Sequence, residues 1–271
     1  MSLDIIQRIC TKSGCYATNL RQKALPPSQQ SSDYRTFYSQ EKPLLILHSL
    51  GCARDSADVQ AERWDNPNGQ AIAHACVDAR DGKTRQTLPW DFRGWHAGKA
   101  GNNVAIGVEM AESLSIRYIG SSDRFEILDN KTAKANCRTA YHGAVELFAY
   151  LCQIFGIDPL SKREINGKTF PAVLGHCEWN RIRGVAGHSD PEHYWQQLGM
   201  DYTMDGFRAD VAALLGQGGQ EPTPEPEPEP DGGRMMYRVQ VGAFRNLDYA
   251  EEFLEQVRKH FPYAYIKAST E

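Results

Sequence analysis

An α/β fold is the class this sequence predicts: a central, mostly mixed β-sheet flanked by helices, followed by a small β-α-β unit. Three observations predict it. Short apolar runs of strand length are interspersed with stretches of helical periodicity through residues 1–215, the mixture that lays helices onto one sheet. The stretch 132–155 carries apolar residues at helical spacing. A Pro-Glu alternation at 221–230 then separates this body from a short tail with its own strand and helix patterns.

Residues 1–33 read as loop, with Pro26-Pro27-Ser28 and a polar run after it. Pro43 to His48 is a nearly unbroken apolar run, which suits a strand buried on both faces. Ser56 to Trp64 predicts a helix. Ala71–Asp78 and Lys83–Leu88 predict two strands around the turn Arg80-Asp81-Gly82, and Val104–Met110 predicts another. Thr132–Phe155 predicts the longest helix, with Tyr141, Ala144, Val145, Phe148, Leu151, Cys152 and Phe155 on one face and Gly156 to stop it. Ala172–Leu174 predicts a brief strand running into His176, and Thr203–Leu215 a last helix with Phe207, Val211 and Leu214 inward. In the tail, Tyr237–Val241 alternates as a strand, Asp248 can cap a helix, and Tyr263–Lys267 reads as a second strand. A core of about 35 residues is marginal alone.

The predicted organisation is therefore a large body at 1–215, a Pro/Glu-rich linker at 216–233 and a half-module at 234–271. Alternating proline and repelling carboxylates favour an extended linker, spanning roughly 50 Å at ~3.1 Å per residue. The net charge of −4, from 34 acids and 30 bases, belongs to that linker. Without its Glu221, Glu225, Glu227, Glu229 and Asp231 the chain carries 29 acids against 30 bases, so no broad basic face for nucleic acid is expected. Apolar content of 41% fits a folded soluble protein. No apolar run reaches the ~18 residues of a membrane span. Met1-Ser2-Leu3-Asp4 lacks the basic start and apolar stretch of a secretory signal peptide, so synthesis in the cytoplasm is expected. Seven scattered cysteines, with no paired CxxC, read as reduced thiols, with a Cys10–Cys15 disulfide left open.

Candidate chemistry gathers at His48, at His176 and at Asp190 within Gly187–Trp195. Two imidazoles and a carboxylate at strand ends can hold Zn²⁺ and leave a fourth position for water. Their wide separation makes the spacing weak evidence, since a lone strand-end histidine is more often a satisfied core or loop residue.

The ordered motifs carry more. Leu45–Ser49, Gly82–Asp91, Gly94-Trp-His-Ala-Gly98, Asn102–Glu109 and His176–Glu178 through His188–His193 resemble the zinc-dependent N-acetylmuramoyl-L-alanine amidases shared by phage lysozyme-like amidases and peptidoglycan recognition proteins. Ile9–Tyr16 and Tyr202–Phe207 look like the ends of that module in clostridial endolysins. The resemblance implies the amidase/peptidoglycan-recognition fold and cleavage between N-acetylmuramic acid and L-alanine by zinc-activated water. It implies His48, His176 and Asp190 as metal ligands, with His188 the rival for third ligand. It implies Glu109 as the residue that orients or deprotonates water, and His188 where many relatives have an oxyanion-stabilising lysine. Trp95, His96 and His74 are candidates for contact with substrate, with packing an equal reading for Trp95 and His96 and a core histidine the more natural reading of His74. Tyr237–Phe244, Ala250-Glu-Glu and Ala264–Ile266 resemble the first half of a SPOR repeat, a wall-binding family; a second copy can complete it, making a homo-oligomer. The whole resembles an endolysin or prophage lytic enzyme acting on bacterial peptidoglycan, reaching the wall with a holin's help. Two rivals are a non-catalytic recognition module and a peptidase using Cys177.

Overall fold

The computed structural model describes residues 3 and 5–219, together with Leu254. The chain divides into two units, residues 1–221 and 222–271; the predicted linker beyond 219 and the tail lie outside the described residues, Leu254 apart. The large unit opens with strand β1 (Ile5–Gln7) and helices α1 (Gly14–Lys23) and α2 (Ser32–Tyr38), then enters strand β2 (Leu44–Ser49). Helix α3 (Ala57–Trp64) leads to strands β3 (Ala75–Val77) and β4 (Thr84–Gln86), the short helix α4 (Gly98–Asn102) and strand β5 (Ala105–Met110). A hairpin, β6 (Ile116–Tyr118) and β7 (Phe125–Ile127), precedes the long helix α5 (Asn130–Phe155). A second hairpin, β8 (Lys162–Ile165) and β9 (Lys168–Pro171), is followed by strand β10 (Val173–Gly175) and helices α6 (His176–Arg183), α7 (Glu192–Gln197) and α8 (Met204–Gly219).

Six strands form the central sheet in the order β1-β4-β3-β5-β2-β10, and every pairing is parallel except β3 with β4. The expected α/β architecture is thus present, with a sheet more parallel than mixed. Every residue of β2 is buried, which explains its apolar run: a central parallel strand is covered on both faces. Its side chains alternate between two cores. Leu45 and Leu47 join the larger one with Ile106, Val108 and the inner face of α5, while Leu44 and Ile46 join a smaller one with Ala105, Leu174, Phe170 and Trp179. Each fully buried aliphatic side chain contributes about 1.5–3 kcal/mol relative to exposure.

Helix α5 follows its predicted face: Tyr141, Ala144, Val145, Phe148, Leu151 and Cys152 are buried. Asp129 caps it by accepting the Lys131 and Thr132 amides at 3.0 and 3.3 Å, and Gly156 ends it at φ 59°, in the left-handed region. The N-terminal stretch departs from expectation, because Ser13 caps α1 through the Tyr16 amide at 3.1 Å. Only Cys15 and Asn19 of α1 are buried, so it carries no apolar stripe to read. Cys10 and Cys15 are free thiols rather than a disulfide: their Sγ atoms meet the Ala61 and Arg93 carbonyls at 3.3 and 3.2 Å. The β8–β9 turn rests on Asn166-Gly167, both at positive φ, a hairpin signal the sequence carried. No helix among the described residues is long and apolar enough to cross a membrane.

Helix α5 lies so close to the β3–β4 turn that a Cβ on Gly143 would stand 2.0 Å from the Gly82 carbonyl oxygen. Gly143→Ala should therefore lower the thermal midpoint. The gain of up to ~1 kcal/mol in helix propensity is outweighed by overpacking of about 1–3 kcal/mol. A raised midpoint in thermal unfolding would contradict this close approach.

Candidate metal centre and its cleft

Register places the site. In the parallel pair β2–β5, Ile46 stands opposite Gly107 and His48 opposite Glu109. Side chains at paired positions project from the same face, so His48 and Glu109 stand side by side at the carboxyl ends of their strands. On the other side of β2, Gly175 of β10 pairs with Leu47, and His176 follows directly. The carboxyl edge of parallel strands is where open α/β sheets place their ligands.

His176 does not end the strand as expected; it is the first residue of α6. The chain turns helical there because the Glu178 carboxylate accepts the Gly175 amide at 3.0 Å. Arg208 of α8 fixes that carboxylate with two contacts at 2.9 and 3.1 Å and also donates to the Val173 carbonyl at 3.0 Å. Cys177 is therefore a helix residue. It is half-buried, outside the cleft lining, and its thiol is pushed up to about 12, chiefly by burial, which leaves it a poor nucleophile.

Asp190 completes the group from the loop before α7. The Nδ1 atoms of His48 and His176 lie 3.1 Å apart, with Asp190 Oδ2 3.2 Å from the first and Oδ1 3.3 Å from the second. All three residues are buried, at 2%, 4% and 7% exposure, and their donor atoms converge as metal ligands do. Burial, and then the neighbouring His176, push His48 down to about 4, so its ring is neutral. Burial works to raise the Asp190 carboxyl, but the imidazoles of His176, His188 and His48 outweigh it and hold the group well below its usual range. A neutral imidazole and an ionised carboxylate are the forms that bind a cation.

His188 stands beside this group. Its backbone adopts φ 59°, its ring stacks on His176 at 4.0 Å between centroids, and Nδ1 is 3.5 Å from Asp190 Oδ1. The hydrogen bond to Asp190 raises its pKa above the ordinary histidine value. Glu109 is half-buried, and its Oε2 is buried without a hydrogen-bond partner. Burial, with Asp190 and Glu112 nearby, lifts its carboxyl well above the ordinary range.

A cleft of about 490 Å³ opens over these residues. His48, Glu109, His176, His188 and Asp190 line it, and so do Trp95 and His96. His74 does not: it is fully buried, accepting the Gly107 amide on Nδ1 at 3.1 Å and donating from Nε2 to the Phe92 carbonyl at 2.7 Å. The expectation that His74 meets substrate is corrected to a core histidine bridging β5 and the Phe92 loop. Sequence reasoning missed Gln60, Trp64 and Asp123 in the lining, and gave His193 no role. It also missed a buried chain in which the Tyr118 hydroxyl lies 2.8 Å from Glu112 Oε2 and 2.9 Å from His193 Nε2. Burial pushes Glu112 up to about 7 despite the Tyr118 bond. Nothing local marks these residues; they meet only when the β6–β7 hairpin folds against α7.

The family model for N-acetylmuramoyl-L-alanine amidase matches residues 40–193, more than half of the chain, and the SPOR domain model matches residues 234–271. No curated protein matches. Among solved structures, the Staphylococcus aureus hydrolase AmiA in complex with its ligand is similar at 21% identity, covering 67% of this chain and 78% of that one, with a TM-score of 0.49. A mutant endolysin from Bacillus subtilis is similar at 19% identity over 78% and 99% of the two chains, with a TM-score of 0.45. The amidase LysC from Clostridium intestinale is similar at 14% identity over 60% and 89%, with a TM-score of 0.33. On the match across residues 40–193, the chain belongs to the N-acetylmuramoyl-L-alanine amidase family.

Proposed function

We propose that this peptidoglycan hydrolase cleaves the amide between N-acetylmuramic acid and L-alanine in the cleft over His48, His176 and Asp190, with zinc as its metal, and that it serves as an endolysin or prophage-derived lytic enzyme. The observation that carries the reading is the convergence of three buried donors beside an unpartnered carboxylate in one open cleft. Two imidazoles and a carboxylate are a nitrogen-oxygen set that suits zinc. Bound there, zinc supplies Lewis acidity, polarising the scissile carbonyl and easing deprotonation of water.

The remaining work falls to side chains. Glu109 takes the proton of the attacking water and hands it to the departing L-alanine nitrogen. A carboxyl held above its usual range is suited to both halves of that transfer. His188, held protonated to higher pH by Asp190, donates a hydrogen bond to the oxyanion of the tetrahedral intermediate. Trp95 offers an aromatic wall to the glycan-peptide. Residues 216–219 continue helix α8 instead of opening the linker, so the segment 220–233 acts as the extended spacer and the SPOR-like tail as a wall anchor, which a second copy can complete. Synthesis in the cytoplasm and holin-dependent passage to the wall complete the reading.

Purified peptidoglycan digested by zinc-loaded protein should release new L-alanine amino groups without new reducing ends, and a chelator should abolish the release. Absence of any released amine with fresh, zinc-loaded protein would sink the hydrolase reading. Glu109→Gln should cut turnover by about 10²–10⁴-fold, the usual worth of a general base, while zinc content measured by atomic absorption stays equal; full activity would refute the assigned role. Deleting residues 234–271 should weaken sedimentation with intact sacculi while sparing hydrolysis of soluble muropeptides. Equal sedimentation would count against a wall anchor.

A further inference from the structure

We propose that Tyr118 is a positioning residue, whose hydroxyl ties the chain just after β5 to the first turn of α7 and so holds Asp190 in place relative to Glu109. The proposal rests on the reading of Asp190 as a metal ligand and Glu109 as the base, and it deepens that reading by naming what fixes the one against the other.

The two groups come from separate parts of the fold, β5 and the loop before α7. Three residues beyond each stands a member of one buried chain. Glu112, 0% exposed, follows Glu109, and His193, 9% exposed, follows Asp190. The Tyr118 hydroxyl stands between them, 2.8 Å from Glu112 Oε2 and 2.9 Å from His193 Nε2. A phenol can donate one hydrogen bond while it accepts another. With the Glu112 carboxyl ionised, Tyr118 donates to it and accepts from His193. With that carboxyl protonated, Glu112 donates to Tyr118, which donates to His193. The link therefore holds in either state and does not depend on one tautomer of His193.

Both ends of the link are anchored. The other carboxylate oxygen of Glu112 accepts the Gly51 amide at 3.0 Å, which joins the loop after β2. The Glu112 backbone pairs with Arg54 through two hydrogen bonds, at 2.9 and 3.0 Å. On the far side, the His193 amide donates to the Ser189 carbonyl at 3.0 Å, so Asp190 sits inside a closed turn. The Asp190 carbonyl also accepts the Cys177 amide of α6 at 2.9 Å. A shift of His193 would thus carry Asp190 with it. His193 and Gly51 line the cleft, whereas Tyr118 and Glu112 do not; Tyr118 acts from behind the wall.

Neighbouring contacts keep this seam folded without the hydroxyl. The Tyr194 hydroxyl accepts the Ser113 amide at 3.1 Å. The hairpin turn is clasped to the same loop, with the Asp123 carboxylate accepting the Ser189 hydroxyl at 2.6 Å and the Asp123 carbonyl accepting Gln197 Nε2 at 2.7 Å. The Tyr118 ring packs on Phe125 at 5.4 Å and on His193 at 6.2 Å between centroids. Tyr118→Phe keeps the ring and removes only the hydroxyl, which leaves Glu112 Oε2 buried without that partner.

Three measurements on the full chain test this. Zinc affinity of Tyr118→Phe, measured by competition with a chelating dye, should fall about 10–100-fold, the usual effect of losing a partner behind a ligand. With zinc saturating, kcat on soluble muropeptides should fall while KM is unchanged, because Tyr118 does not touch substrate. Glu112→Gln, whose carboxamide can still bond both the Gly51 amide and the Tyr118 hydroxyl, should bind zinc almost as tightly as wild type. Unchanged zinc affinity in Tyr118→Phe, a rise in KM alone, or a Glu112→Gln variant as weak as Tyr118→Phe would each overturn the proposal. In metal-free protein, hydrogen exchange at the His193 and Cys177 amides should quicken several-fold in Tyr118→Phe, and unchanged exchange would equally overturn it. Wild-type protein that binds no zinc would refute the metal reading instead, and the exchange rates would still decide whether Tyr118 holds the Asp190 turn.

Discussion

The parallel register of β2 between β5 and β10 is the constraint on which the rest of the site depends. It sets His48 opposite Glu109 and brings His176 beside His48, all at one edge of the sheet. A slip of one residue on β2 would turn His48 into the opposite core and bring Ser49 or Leu47 to the site. The register is held from both faces, because Leu44 and Ile46 belong to one core and Leu45 and Leu47 to the other. Packing on each side therefore resists the same slip, and the precision of the site is inherited from the burial of a strand.

Burial also sets the chemistry. His48 is pushed toward its neutral form and Glu109 toward its protonated form, each chiefly by loss of water. Asp190 goes the other way because three imidazoles surround it. One cleft thus holds neutral, acidic and ionised groups within a few ångströms, the separation of roles by environment that acid-base catalysis exploits. Behind the cleft, Arg208 and Glu178 form a buried ion pair whose polar atoms are also bonded to the Gly175 amide and the Val173 carbonyl. A buried pair is costly to desolvate unless it is well satisfied. Here it secures the turn that makes His176 the first residue of α6. Glycines contribute by what they omit: Gly107 and Gly94 clear the slot in which His96 lies against His48.

The acidity of the chain has a separate place. Its excess of carboxylates lies in the Pro-Glu segment of the sequence, and residues 1–215 and the tail are close to neutral. In the proposed arrangement that segment spaces the enzyme from its wall anchor.

The sequence by itself determined the elements whose signal is local. The apolar run of β2, the one-sided face of α5 and the stop at Gly156 are periodicities and backbone preferences, and they survive in the fold because tertiary packing agrees with them. Ordered motifs likewise pointed to His48, His176, Asp190, Glu109 and His188, and all five line one cleft. Helix α1 was illegible because it buries only two residues and rests on a serine cap. Sequence left His74 open between substrate contact and a core role because a histidine's two nitrogens look alike there, and only the fold shows the backbone groups at Phe92 and Gly107 taking both. The same holds for His96, whose ring faces His48 across 48 positions of chain. Which groups are chemically suited follows from composition and order; which nitrogen meets which partner is decided by strand register and close packing, because hydrogen bonds act over about 3 Å between residues the chain itself holds far apart.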